Sequence, residues 1–406
     1  MNASATPRVG FSVAANYDRA AIPHLAAYPV AEVYGKLPRD GIGGGRPRYL
    51  ATPLRRRQLA GYCADLRRAG IGFNYLLNGA CFANREWGRR WQRRLMRLLE
   101  DLGAMGIDRV TVATPFLLEL IKRRFPAFHV RVGIFAQIDT PRRARFWADL
   151  GADALTLESF SINRDFVRLA AIRAAVDCEL QLIANHVCLP NCPMQNYHQN
   201  GFAHASDGSR ALFIDWCFLR CSQRRLHEPA ELIKAGWIRP EDIDRYAAMG
   251  FTTFKLLERG IPSAALLRRV AAYHHRRSGP DLAELLLPYG FAEPRRREML
   301  WGLRNFFRPR QVAPSRLRPL LALARDSGML AASPSRPVRI DAAAIPPDFL
   351  DGFRERECAS LRCADCGYCA GIAVRAVQID PDHRRRALAA HATAADDLLG
   401  GSTWGV

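Results

Sequence analysis

Eight of the eleven cysteines in this 406-residue chain fall into close groups. Cys188 and Cys192 form one pair, Cys217 and Cys221 a second, and Cys358, Cys363, Cys366 and Cys369 a compact quartet. Cys63, Cys81 and Cys178 stand alone, as small core residues do. In a reducing compartment, grouped thiols are more often metal ligands or catalysts than disulfides. The two pairs, each with three residues between its cysteines and 24 residues between the pairs, supply four thiolates to one long insertion. Zinc and iron-sulfur clusters both accept such a set. The spacing favours iron-sulfur, because zinc knuckles usually place two residues between paired cysteines. A mixed site, with His198 or His204 replacing a thiolate, is also compatible with the stretch ANHVCLPNCPMQNYHQNGFAH, whose two prolines predict irregular chain rather than helix.

The C-terminal run ECASLRCADCGYCAG spaces its cysteines as Cys358-x4-Cys363-x2-Cys366-x2-Cys369. Its C-x2-C-x2-C core resembles the ferredoxin loop, so a second iron-sulfur site is expected there, with zinc as the alternative. The glycine run DGIGGGRPR could cradle an anion on free backbone amides, assisted by Arg46. No H-E-x-x-H helix and no G-x-S-x-G elbow is present, so the common hydrolytic routes have no visible apparatus.

Something must position these residues, and the chain up to about residue 260 supplies a rhythm. Eight short β-branched or aromatic runs, near residues 9, 31, 72, 109, 130, 154, 179 and 252, alternate with amphipathic stretches that often stop at glycine. Eight strand-helix units are the arithmetic of an α/β fold of TIM type, a (β/α)8 barrel, in which chemistry gathers where the strands leave the C-terminal face. Polar residues stand at those exits: Asn16, Tyr34, Asn78, Thr114, Gln137, Glu158, Asn185 and Glu258. One connection breaks the rhythm, a Cys-rich insertion at 186–236 after strand seven. The predicted organisation is a barrel over 1–280, a helical extension and linker over 281–345, and a Cys-rich C-terminal segment over 346–406 that ends in a loose tail.

The net charge of +20 invites a nucleic-acid reading. Of the 59 basic residues only four are lysine, and so strong an arginine bias is what a GC-rich genome produces without any ligand. RNA therefore stands as the less favoured partner. No apolar run reaches the roughly 18 residues a membrane span needs, and the first residues lack a signal peptide's apolar core, so a cytoplasmic protein is expected.

With the barrel pattern and NHVCLPNCPMQNYH in view, residues 9 to 275 resemble peptidase family U32, the collagenase-like group. The most specific part is the quartet Cys188, Cys192, Cys217 and Cys221, because that family places four late-barrel cysteines as ligands of a 4Fe-4S cluster. Here the first pair is tighter than the family's usual spacing, and the C-terminal quartet is an addition. The resemblance implies an iron-sulfur oxidoreductase that hydroxylates or otherwise modifies a small aromatic or isoprenoid metabolite without dioxygen. A protease and an RNA-modifying hydroxylase are the alternatives. It further implies that Asn16, Asn78, Gln137, Glu158, Asn185 and His198 line the substrate cavity, Asn16 and Arg46 on its cofactor side. Cys358, Cys363, Cys366 and Cys369 would form an electron-relay site. An electron-donor protein and a heterodimer with a related barrel are partners of the kind that chemistry uses.

Overall fold

The structure is a computed structural model describing residues 8–207, 213–257, 261–287, 336–356 and 362–404, together with 315, 319–320, 322–323, 358 and 359. The eight expected strands are all present: β1 (Gly10–Ala14), β2 (Val30–Gly35), β3 (Gly72–Leu77), β4 (Arg109–Val112), β5 (His129–Val132), β6 (Ala154–Thr156), β7 (Glu179–Ile183) and β8 (Thr253–Leu256). Each pairs in parallel with the next, and β8 returns to β1 with Phe254 opposite Phe11, closing the barrel. Between strands run α1 (Ile22–Ala26), α2 (Arg56–Arg68), α3 (Arg89–Ala104), α4 (Pro115–Arg124), α5 (Pro141–Asp149) and α6 (Phe166–Ala175). The outward residues of the strands, such as Phe11, Val33, Val110 and Leu182, join Leu59, Leu98, Leu118 and Leu169 of these helices in the main core.

Alternation sends the other strand residues inward. Ala14, Tyr34 and Leu76 form a small apolar layer inside the barrel, separate from the main core. Beside it lies a buried polar set on successive strands: Ser12, Glu32, Asn74, Thr111, Arg131, Thr156 and Gln181. The interior is thus plugged with side chains and leaves the open end to loops.

The insertion after β7 is more regular than its prolines predict. Residues following Pro193 form α7 (Gln195–Asp207), which carries His198 and His204, and then come α8 (Trp216–His227) and α9 (Ala230–Lys234). Both prolines precede the first helical residue, where the missing N–H breaks no helical bond, so they delimit α7 rather than forbid it. The chain then returns through α10 (Ile243–Ala248) to β8 and α11 (Ser263–His275).

Most of the expected extension between 288 and 335 lies outside the described residues, as does Glu258. Beyond it, β9 (Val338–Ile340) pairs antiparallel with β10 (Val377–Ile379). The last segment is no loose tail. Pro381–Leu399 is a continuous helix, started by the Asp380 side chain accepting from His383 N and packed along α8, with His391 and Ala394 buried. Among the described residues no helix is long and apolar enough to cross a membrane.

Candidate functional site

β7 delivers its chain directly into the site. Asn185 is fixed just past the strand: its Nδ2 donates to Leu257 O (2.7 Å) and Leu285 O (3.0 Å), and its Oδ1 accepts from Leu257 N (2.7 Å). The next turn brings His186 and Cys188 together, Nε2 to Sγ 3.0 Å, while His186 Nδ1 stands 2.5 Å from Ser159 Oγ on the β6–α6 loop. Asn191, left-handed at φ 47°, reverses the chain between Cys188 and Cys192, and its N–H donates to Phe160 O of that same loop.

The second pair is set by helical spacing. Cys217, Cys221 and Arg225 follow one another at four-residue steps on α8 and share a face. Asp215 positions that helix, accepting from Phe218 N (3.0 Å) as its N-cap and holding His198 Nε2 of α7 at 3.0 Å. Arg225 donates to Cys221 Sγ at 3.3 Å.

All four thiols line a single cavity of about 280 Å³ at the barrel mouth. Phe135, Val187, Met194, Phe202 and Phe218 make much of its wall, with Asn185, His186, His198 and Arg225 as its polar points. The C-terminal helix closes one side with His383, Ala387 and His391. A mostly apolar chamber with few, fixed polar groups is the usual form of a small-molecule site.

Desolvation governs the ionisable groups here. Burial, reinforced by the positive charge of Arg225, pushes His186 down to about 3, so the imidazole is neutral near pH 7. Burial raises the thiols of Cys188, Cys217 and Cys221, with neighbouring thiols of the quartet adding to the effect, and Cys217 reaches about 12. Thiols held protonated by burial would ionise here only beside a cation, which is what an iron-sulfur core or a metal ion would supply. Among the described residues no three His, Cys, Asp or Glu side chains are drawn together tightly enough to hold one metal ion. The four thiols line one cavity, and four thiolates are a donor set that zinc or an iron-sulfur cluster would accept.

The other expected site residues do not reach this cavity. Asn16 Nδ2 donates to Ser263 Oγ (2.9 Å), joining the loops after β1 and β8. Asn78 accepts from Gly45 N (3.0 Å). Gln137, left-handed at φ 53°, bonds Asn196 of α7. Glu158 turns its carboxylate back on its own loop, accepting from Phe160 N and from Ser161 N and Oγ. These four exit residues are each engaged in holding a loop, whereas Asn185 alone of the expected site residues at the strand ends lines the cavity.

The glycine loop likewise departs from expectation. Asp40 Oδ1 accepts from Ile42 N and Gly43 N, Gly44 N donates to Ser206 Oγ (2.6 Å), and Asn78 takes Gly45 N. These amides are therefore taken up within the loop, by Asn78 after β3 and, at Gly44, by α7, and Arg46 stands half-buried beside them. Sequence reasoning missed Ser159 and Arg225. Only the four-residue step from Cys221 signals Arg225, and nothing local signals Ser159.

A closed parallel barrel whose seventh loop gathers four thiols around an apolar chamber defines a class of TIM-barrel protein with a thiol-lined mouth. No family model matches the chain. It is 30% identical over 255 residues to an uncharacterized protease, MJ1657, of Methanocaldococcus jannaschii, covering 63% of this chain and 75% of that protein. The solved U32 peptidase Mk0906 is 19% identical, covers 64% of this chain and 97% of its own, and superposes with a TM-score of 0.46. The citrate synthase SbnG is 12% identical over 66% of this chain and 91% of its own, at a TM-score of 0.34. The chain belongs to the U32 peptidase family.

Proposed function

We propose that the protein is an iron-sulfur enzyme that carries out an oxygen-independent hydroxylation, or a related redox modification, on a small and largely apolar molecule held at the barrel mouth. The observation that carries this reading is the meeting of Cys188, Cys192, Cys217 and Cys221, from two separate segments, on one cavity with Asn185, His186 and His198. Those four cysteines would hold a 4Fe-4S cluster, and such a cluster, when bound, supplies one-electron chemistry beside the substrate.

The chain's own groups prepare the site. With its ring proton on Nε2, His186 would accept from Ser159 Oγ at Nδ1 and donate to Cys188 Sγ, and Arg225 donates to Cys221 Sγ. Hydrogen bonds to ligand sulfur raise a cluster's potential. The His198–Asp215 pair fixes α7 against α8, so both cysteine-bearing segments are held before any ligand arrives.

Protein purified without oxygen is expected to contain iron and acid-labile sulfide, and Cys188→Ala/Cys221→Ala is expected to lose the charge-transfer absorbance of this site. A wild-type protein carrying zinc and no labile sulfide overturns the reading.

One observation favours a peptidase, the activity in the relative's name. Ser159, His186 and Cys188 stand in a hydrogen-bonded line, as an orienting group, a base and a nucleophile would. Burial works against it, because the imidazole is held neutral and the thiol protonated, the reverse of an activated pair. Peptide cleavage by iron-free protein, abolished by Cys188→Ala, would establish the peptidase instead.

A further inference from the structure

Helix α3 is built against its own electrostatics. Its first turn opens with Arg89 and Arg90, holds no acidic residue, and starts from Gly88, which offers no side-chain cap. The N-terminus is the positive end of a helix and favours negative charge beside it. Arg89, Arg93 and Arg97 follow one another at four-residue steps, with Arg90 and Arg94 running beside them. Like charges at that spacing repel, so Arg89 with Arg93, Arg93 with Arg97, and Arg90 with Arg94 each weaken the helix. At about 3.6 residues per turn all five fall on one arc, opposite the buried Trp91, Leu95, Leu98, Leu99 and Leu102. All five are exposed, and among the described residues none forms an ion pair. The acids of the helix, Glu100 and Asp101, lie past Arg97 at its far end, and Asp101 is taken by Arg56 of α2. Elsewhere arginines alternate with acids and pair along their helix, as Arg224 does with Glu228 and Arg385 with Asp382.

An arrangement that costs the helix stability and stays unpaired points to an anion from outside the chain. From Arg89 to Arg97 the stripe runs about 12 Å along the axis, too long for one phosphate and suited to a chain of them. At its upper end stands Trp87, 67% exposed, its ring 4.7 Å from that of Phe116 at the start of α4. A solvent-facing indole backed by a second ring is a platform on which a base stacks. Arg85, two residues earlier, pairs with Asp207 at the end of α7, so the stripe begins at the rim of the barrel mouth. An acidic redox protein would match the charge but not the place, because α3 follows β3 and the grouped thiols follow β7, halfway round the closed sheet.

We propose that the exposed face of α3 docks single-stranded nucleic acid, with phosphates on Arg89, Arg90, Arg93, Arg94 and Arg97 and a base on Trp87. This surface lies apart from the thiol-lined cavity, and it stands whether or not that cavity holds a cluster.

The test is binding of a fluorescently labelled oligouridylate to the full-length protein, followed by anisotropy over a range of salt. Wild-type affinity is expected to fall steeply as salt rises, and an absence of binding overturns the proposal. In Arg89→Gln/Arg93→Gln/Arg97→Gln the slope of log affinity against log salt should be shallower by about 2, at about 0.7 for each phosphate no longer neutralised. Trp87→Ala should lose about tenfold in affinity at an unchanged slope, because stacking releases no counterion. Arg375→Gln/Arg385→Gln/Arg386→Gln removes the same charge from the C-terminal segment and should bind as the wild type does. Equal weakening in the two triple variants would reduce the site to diffuse net charge and overturn it. Unaltered binding by Trp87→Ala, or competition by polyglutamate as strong as by unlabelled RNA, would replace nucleic acid with an acidic protein. Without ligand, the α3 triple variant should melt no lower than the wild type, since it relieves repulsion; a lower midpoint would show that the arginines serve the fold.

Discussion

A Cβ placed on Gly236 would stand 2.2 Å from the carbonyl oxygen of Ser159, a backbone atom that cannot rotate away. Gly236 O also accepts from Asn163 Nδ2 at 2.6 Å, so the end of the insertion lies flush on the β6–α6 loop. That loop carries Ser159, which orients His186, and ends at Arg164. Gly236→Ala is therefore expected to lower stability by about 1–3 kcal/mol through overpacking and to reduce iron incorporation at Cys188, as seen in the denaturation midpoint and iron content. An unchanged midpoint would show that the loop has slack. At this scale the sequence was legible where chemistry is dense. The grouped cysteines and His198 could be picked out, but Gly236 and Ser159 could not. Their roles come from contacts with residues dozens of positions away, and neither residue type nor spacing records those.

Elements were legible in proportion to how local their causes are. The eight strands follow from β-branched runs, whereas the helix Pro381–Leu399 reads as a tail because its buried face is built of small residues, Ala387, Ala390 and Ala394, against Leu219 and Leu323. Its local start signal, Asp380 before Pro381, was present all along. Packing places His391 at the cavity wall, where burial and the charges of Arg220, His227 and His383 push its imidazole down to about 4. An unfolded imidazole titrates near 6.5. Between those values the unfolded chain binds more protons, so the helix's contribution is complete above about pH 6.5 and is lost as pH falls toward 4. The wild-type denaturation midpoint should fall across this window, and His391→Phe should flatten the fall. Equal slopes in both proteins would place the titration elsewhere.

The whole molecule depends on a barrel rigid enough to hold eight loops in register, and its interior is braced by charge. Glu32 of β2 accepts from Ser12 Oγ of β1 (2.7 Å), lies within 3.3 Å of Asn74 Nδ2 of β3, and pairs with Arg131 of β5. Arg131 also reaches Glu179 of β7 at 2.7 Å, so one network crosses the barrel through five strands. The sequence showed that a barrel exists but not what fills it, because periodicity separates two faces of a strand without saying which closes on itself. Burial alone would raise the Glu32 carboxyl. The Arg131 charge and the bonds from Ser12 and Asn74 outweigh burial and hold the carboxyl below its ordinary range. A depressed carboxyl stabilises the fold above its unfolded titration range, and that stability is lost as acid protonates the folded form. Glu32→Gln keeps the shape and removes the charge, leaving Arg131 buried with only the half-exposed Glu179. A loss of about 3 kcal/mol is expected, the low end for a broken buried pair because Glu179 remains. The double variant Glu32→Gln/Arg131→Gln separates attraction from mere volume. If the pair is coupled, the double variant is less destabilised than the sum of the singles by about 0.5–3 kcal/mol in a denaturant cycle. Strict additivity would mean that the two residues contribute to the barrel independently of each other and that their pairing adds nothing.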